Sequence, residues 1–199
     1  MQKPAITPLD LHPIIKNRWS PRSFDRRAVE PEKLRRVFEA ARWSPSSHNE
    51  QPWRFLAGLK SDSTWEKILQ SLVEWNRLWA QEAPVLILAL GKKTSTKNGE
   101  PNHAYRYDTG QALAWLTVQA AHEGLVAHQM GGFSEQEARR LFEIPEDYEP
   151  LTVTALGYQG PAENLAEPFR KLELAERVRK KASVLVFAGK FGSASSLVE

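Results

Sequence analysis

Arg18-Trp19-Ser20-Pro21-Arg22 alternates two guanidinium groups and a hydroxyl at i, i+2 and i+4. In an extended or turning segment that spacing sends all three side chains to one side. Arginine presents a planar fork of N–H donors suited to a phosphate, and the serine adds a further donor. The same residues also suit a solvated, salt-bridged loop. A second cluster is Ser44-Pro45-Ser46-Ser47-His48-Asn49-Glu50-Gln51-Pro52-Trp53. Two prolines stiffen it, and its amides can offer donors and acceptors to the edge of a heterocycle. An ordinary Ser- and Asn-rich turn is the plainer reading. A third is His128-Gln129-Met130-Gly131-Gly132-Phe133, whose glycines can bring backbone N–H groups against a planar ligand or merely make a turn. A fourth, Arg179-Lys180-Lys181, can close over a phosphate or stand as a solvated face.

Other chemistries are excluded by what the chain lacks. It has no cysteine among 199 residues, which removes disulfides, thiolate metal sites, iron–sulfur clusters and a cysteine nucleophile. Redox chemistry would need a bound cofactor. His12, His48, His103, His122 and His128 have no metal-ligand spacing, so no metal site is expected. Ser46 and Ser47 lie in no G-x-S-x-G elbow, and neither a G-x-G-x-x-G nor a G-x-x-x-x-G-K-[ST] run occurs. Lys and Arg total 27 against 24 Asp and Glu, with the one dense basic stretch, Arg170–Lys181, broken by Glu173 and Glu176. That argues against a nucleic-acid partner. The longest apolar run, Pro84–Leu90, suits a strand and falls short of a membrane span. The N-terminus has no signal-peptide pattern, so the expected location is cytoplasmic.

The elements that must position these clusters follow from periodicity. Leu9–Arg18 reads as a helix with Pro13 in its first turn. Pro31 opens a second helix that ends before Pro45. Trp53–Ala57 is a short strand. Asp62 or Ser63 caps a helix carrying Trp65, Ile68, Leu69 and Leu72. Pro84–Leu90 and Leu151–Gly157 are central buried strands. Asp108 is expected to cap a long helix ended by Gly124, and Ser134 to cap another stopped by Pro145. Trp75 and Trp79, spaced i, i+4, are either core or an aromatic pocket wall, with Tyr105 a further wall candidate. From Tyr158 onward the chain has no evident partner in its own core. The expectation is one α+β domain over residues 1–199, with about 159–199 an extended arm wrapped on another subunit.

In this order the four clusters resemble the nitroreductase-like family of FMN-dependent flavoproteins. The strongest matches are Arg18-x-Ser20-x-Arg22-x-Phe24, Pro45-Ser46-Ser47-x-Asn49-x-Gln51-Pro52-Trp53 and Gly131-Gly132-Phe133. Asp108-x-Gly110-x-Ala112 and the basic Arg177–Lys181 segment also match. The resemblance implies a mostly antiparallel central sheet flanked by helices, and an intertwined homodimer exchanging C-terminal arms. FMN would lie at the subunit interface. Arg18, Ser20 and Arg22 would hold its phosphate and ribityl region, with Arg179 and Lys180 from the tail and Trp19 through its backbone. Pro45, Ser46, Ser47 and Asn49 would come from the other subunit. Gln129, Met130, Gly131 and Gly132 would run along the isoalloxazine, with a glycine N–H facing flavin N5. NAD(P)H would pass a hydride to N5, and an electron-poor acceptor such as a nitroaromatic or quinone would be reduced in a ping-pong cycle. No catalytic side chain is implied, because solvent can supply protons. An FMN-sensing protein, or specialised family chemistry such as dehalogenation or flavin fragmentation, is the alternative. Where some members place an Asn and a Lys on the helix before the central strand, this chain has Trp75-Asn76-Arg77-Leu78-Trp79.

Overall fold

Val85–Lys92 (β2) is apolar at nearly every position because both of its faces are covered. The computed structural model describes residues 2–198. Flanking strands are Trp53–Leu59 (β1), Val126–Met130 (β3) and Tyr148–Gly157 (β4). All pairings are antiparallel, in the order β1-β2-β4-β3. Successive side chains of β2 enter opposite layers. Leu86, Leu88 and Leu90 meet Trp65, Ile68, Trp79 and Ala138 on one face. Val85, Ile87 and Ala89 meet Val37, Ala41, Leu113, Leu116 and Ala120 on the other. Each fully buried leucine contributes about 2 kcal/mol relative to exposure.

The first helical layer holds Ser63–Ser71 (α3), Glu74–Ala80 (α4) and Glu135–Phe142 (α6), and the second holds Pro31–Arg42 (α2) and Tyr105–His122 (α5). The short Pro13–Asn17 (α1) and Phe169–Leu174 (α7) complete the seven α-helices among the described residues. Local signals set several ends. The Asp62 carboxylate accepts the Trp65 N–H at 2.7 Å, and Ser134 Oγ accepts the Glu137 N–H at 3.1 Å. Such caps stabilise a helix by about 1 kcal/mol. Gly124 follows α5 with φ +75°, a conformation only glycine adopts without strain.

Four expectations are corrected. The first helix spans Pro13–Asn17 alone, because Pro13 takes its first position and His12 Nδ1 accepts the Ile14 N–H at 3.3 Å. The Trp65 helix ends at Ser71, since Leu72 turns to extended backbone and bridges Phe133. Asp108 is not the cap of α5. The cap is Ala104, and Asp108 lies buried in the first turn with its carboxylate on the Ser47 N–H. The C-terminal segment does enter its own core as far as α7. Phe24 bridges Gln159, Ala162 and Phe169 are buried, and Glu173 is 0% exposed. Beyond it Val178, Leu185, Phe191 and Leu197 are exposed.

Candidate functional site

The segment Arg18–Ser23 runs from the end of α1 toward the Phe24 bridge to Gln159. Arg18 Nη1 donates to Ser20 Oγ at 3.4 Å, so these two side chains meet as the alternation predicts. Arg22 departs from them, its guanidinium 6.0 Å from the centroid of the Trp79 ring. Trp19 is buried beneath Lys3, whose Nζ sits 4.5 Å from its ring centroid.

The backbone of the next residues is tied on every side. His128 Nδ1 bonds the Pro21 carbonyl at 3.0 Å. The Glu173 carboxyl group accepts the Arg22 N–H at 2.8 Å and the Ser23 N–H at 3.3 Å. Ser23 Oγ donates to the Pro161 carbonyl at 2.6 Å, and the Gly160 N–H donates to the Ser23 carbonyl at 2.9 Å.

Around this loop five cations gather. Burial lowers the proton affinity of Arg18, and the neighbouring Arg177 and Arg179 lower it further. Burial likewise lowers that of Lys3, where Glu173 opposes the effect and Arg177 and Arg22 add to it. Arg177 is lowered by burial and then by Arg179. Its guanidinium donates to the backbone carbonyls of Lys3 and Lys16. None of the five forms a carboxylate salt bridge among the described residues. Partly desolvated cations that repel one another favour a bound anion. Lys180 is exposed beside them in sequence.

The glycine segment leaves β3 next to this loop. Gln129 is exposed and its Nε2 donates to Thr117 Oγ1 at 3.1 Å, while Met130 buries its side chain in the core. The Gly132 carbonyl accepts twice, from Asn76 Nδ2 at 3.0 Å and from the Val73 N–H at 3.1 Å. A Cβ on Gly132 would stand 2.6 Å from Asn76 Nδ2, so any larger residue must displace the Asn76 amide. Neither glycine N–H donates to a protein acceptor among the described residues, and Gly131 is exposed. Both are free for a ligand.

Pro45–Asn49 lies elsewhere. His48, Asn49 and Gln51 hold φ of 52°, 57° and 48°, three of the five non-glycine residues with positive φ among the described residues. Strain concentrated in one loop marks it as a site candidate. Ser46 Oγ accepts the Gln51 N–H at 3.0 Å, and Asp108 holds Ser47 at 3.0 Å. Glu50 faces the Thr94–Pro101 turn, accepting from Ser95 Oγ at 2.5 Å and from Thr96 N–H and Oγ1 at 2.8 Å. Those bonds hold its carboxyl pKa down at about 2. Between loop and turn lies a cavity of about 780 Å³ lined by Ser47, Asn49, Lys97, Asn102 and His103.

Helix α5 separates the two groups. Its first turn touches Ser47, whereas Thr117 and Ala121 line a cavity of about 290 Å³ with Arg18 and Trp19. At 1.5 Å per residue, Asp108 and Thr117 are roughly 14 Å apart along the axis. One copy of the chain therefore brings Arg18, with Ser20, near Arg179, sends the Arg22 side chain apart toward Trp79, and leaves Pro45, Ser46, Ser47 and Asn49 at the other end of α5.

One aromatic candidate is corrected. Trp79 is 1% exposed in the core, stacked on Phe24 and 4.6 Å from the His128 ring, so it walls no open pocket. Tyr105 is engaged through its hydroxyl with Glu149. Trp75 is half-exposed and rests on Phe169 at 4.6 Å. Sequence reasoning passed over Lys3 and gave Glu173 and His128 no part in holding the arginine loop. Glu173 had one local signal, its i, i+4 spacing from the buried Phe169 on α7.

A family model described as "Nitroreductase family" matches residues 15–158. Among solved structures, one described as an oxidoreductase containing FMN has 30% identity and a TM-score of 0.86, covering 96% of each chain. A nitroreductase family protein from Clostridium difficile 630 has 25% identity and a TM-score of 0.70, covering 89% of this chain and 97% of its own. A Methanothermobacter thermautotrophicus protein, provisionally named NADH dehydrogenase/NAD(P)H nitroreductase, is 31% identical over 80% of this chain and 81% of its own.

Proposed function

The chain belongs to the nitroreductase family, and from that premise we propose that it is an FMN-dependent oxidoreductase using NAD(P)H to reduce an electron-poor acceptor such as a nitroaromatic or quinone. The observation that carries this reading is the cluster of Lys3, Arg18, Arg22, Arg177 and Arg179, of which Lys3, Arg18 and Arg177 are partly desolvated and none forms a carboxylate salt bridge among the described residues. A flavin phosphate matches its charge and its donors. FMN-containing and NAD(P)H-named relatives give the same direction.

In this reading Arg18, Ser20 and Arg22, with Arg179 and Lys180, hold the phosphate and ribityl chain, and Trp19 contributes through its backbone. Gln129, Met130, Gly131 and Gly132 border the ring system, where the free glycine N–H groups offer donors. Bound FMN would supply the hydride chemistry between NAD(P)H and the acceptor. The protein orients the reactants and excludes water.

The working unit is a homodimer of single-domain chains, with Pro45, Ser46, Ser47 and Asn49 reaching the flavin of the other copy. The roughly 14 Å along α5 supports this division. So does the outer face of α5, where Tyr107, Trp115 and Val118 are exposed opposite the buried Leu113, Leu116 and Ala120. A helix apolar on both faces is usually covered on both. Residues beyond α7, with their exposed apolar side chains, form the exchanged arm. No helix among the described residues is long and apolar enough to cross a membrane.

The decisive experiment is FMN reconstitution followed by anaerobic titration with NADH and NADPH. The expected result is a yellow protein bleached by at least one of them. Protein that stays colourless after reconstitution overturns the proposal.

A further inference from the structure

Glu173 is 0% exposed, and its two carboxyl oxygens accept the Arg22 and Ser23 N–H groups. We propose that Glu173 is the positioning residue of the phosphate end of the site, fixing the arginine loop without touching the ligand. This rests on the FMN reading above.

The geometry needs an acid here. Two adjacent N–H donors converge on one side chain, and only a carboxylate offers an acceptor to each. The Pro21 and Ser23 carbonyls and the Ser23 hydroxyl are committed to His128, Gly160 and Pro161, so Glu173 adds the two N–H bonds that hold the backbone of the turn. Arg22 is then presented from a fixed backbone. The same residue also joins the second half of the cluster. Its main-chain carbonyl accepts Lys3 Nζ at 2.8 Å, and the chain leaving α7 carries Arg177 back onto Lys3 and Lys16. Loop and tail cations thus share one buried anchor.

Charge and geometry make opposite predictions. A negative group beside a phosphate site repels the phosphate, so neutralising it would tighten FMN binding if charge alone mattered. If position matters, Glu173→Gln weakens binding, because its amide presents a donor to one of the two N–H groups. Riboflavin, which lacks the phosphate, separates a local effect from a general one.

The test measures FMN and riboflavin affinities by fluorescence titration for the full-length wild type, Glu173→Ala and Glu173→Gln. The expected result is at least a tenfold loss for FMN, with riboflavin within twofold of wild type. Should Glu173→Ala fail to fold, the near-isosteric Glu173→Gln carries the measurement. Unchanged or tighter FMN binding overturns the role of Glu173, and so does equal loss of both flavins. Wild-type protein that binds neither flavin overturns the cofactor reading itself.

Discussion

His128 sets its Nδ1 3.0 Å from the Pro21 carbonyl oxygen, joining β3 to the arginine loop. Burial is the main reason its pKa is pushed down, to about 4 from 6.5, with Arg22 adding to the effect and the Pro21 bond opposing it. The unfolded chain takes this proton near the ordinary value and the folded chain resists it. Stability from the neutral ring is therefore complete above about pH 6.5 and is lost as the pH falls toward about 4, on the order of 3 kcal/mol in all. His128→Asn keeps an N–H donor and removes the titration. Urea unfolding between pH 4 and 7 should show a flatter profile for the variant, and an identical slope would refute the assignment.

Arg18→Ala and Arg22→Ala should each weaken FMN binding roughly ten- to hundredfold, the worth of one charge-assisted hydrogen bond. Equilibrium titration of the two variants is the check. Wild-type affinity in both would remove the phosphate from this loop.

Gly132→Ala must place a methyl 2.6 Å from Asn76 Nδ2 and 3.0 Å from Val73 Cγ2. The Asn76 amide must swing away and give up its hydrogen bond to the Gly132 carbonyl, while the Val73 N–H bond can stay. A stability loss of about 1–3 kcal/mol is expected. Chemical denaturation would expose the error if the variant matched wild type.

Glu50→Ala removes three hydrogen bonds that pin the Ser95–Thr96 turn over the strained loop. Limited proteolysis should cut near Lys97 several times faster in the variant. Equal cleavage rates would show that the turn is held by its own backbone bonds.

Trp115→Glu and Val118→Glu put charge on the exposed apolar face of α5. Sedimentation should show monomers, and FMN affinity should fall at least tenfold with the loss of the second copy's loop. Monomers that keep full affinity would refute the divided site.

Much of the scaffold was legible because its causes are local. Asp62 and Ser134 accept the N–H groups that helix starts leave free, and Gly124 takes the positive φ that ends α5. Asp108 misled because its type and place suit a cap, while its carboxylate serves Ser47, 61 residues away. The end of α3 was hidden for the same reason: apolar periodicity runs through Leu72, and a bridge to Phe133 stops the helix.

The sequence by itself determined three strands (β1, β2 and β4), the starts of α2, α3 and α6, the end of α5 and the residue types of the candidate site, since periodicity and short motifs act over a few residues. It also carried the family resemblance. Only the tertiary structure decided which charges meet. Lys3, Arg18 and Arg177 converge because α1, the arginine loop and the segment after α7 pack together, and Glu173 anchors a loop 150 residues away. Contacts of that span depend on the packing of the whole core, so spacing along the chain cannot encode them legibly.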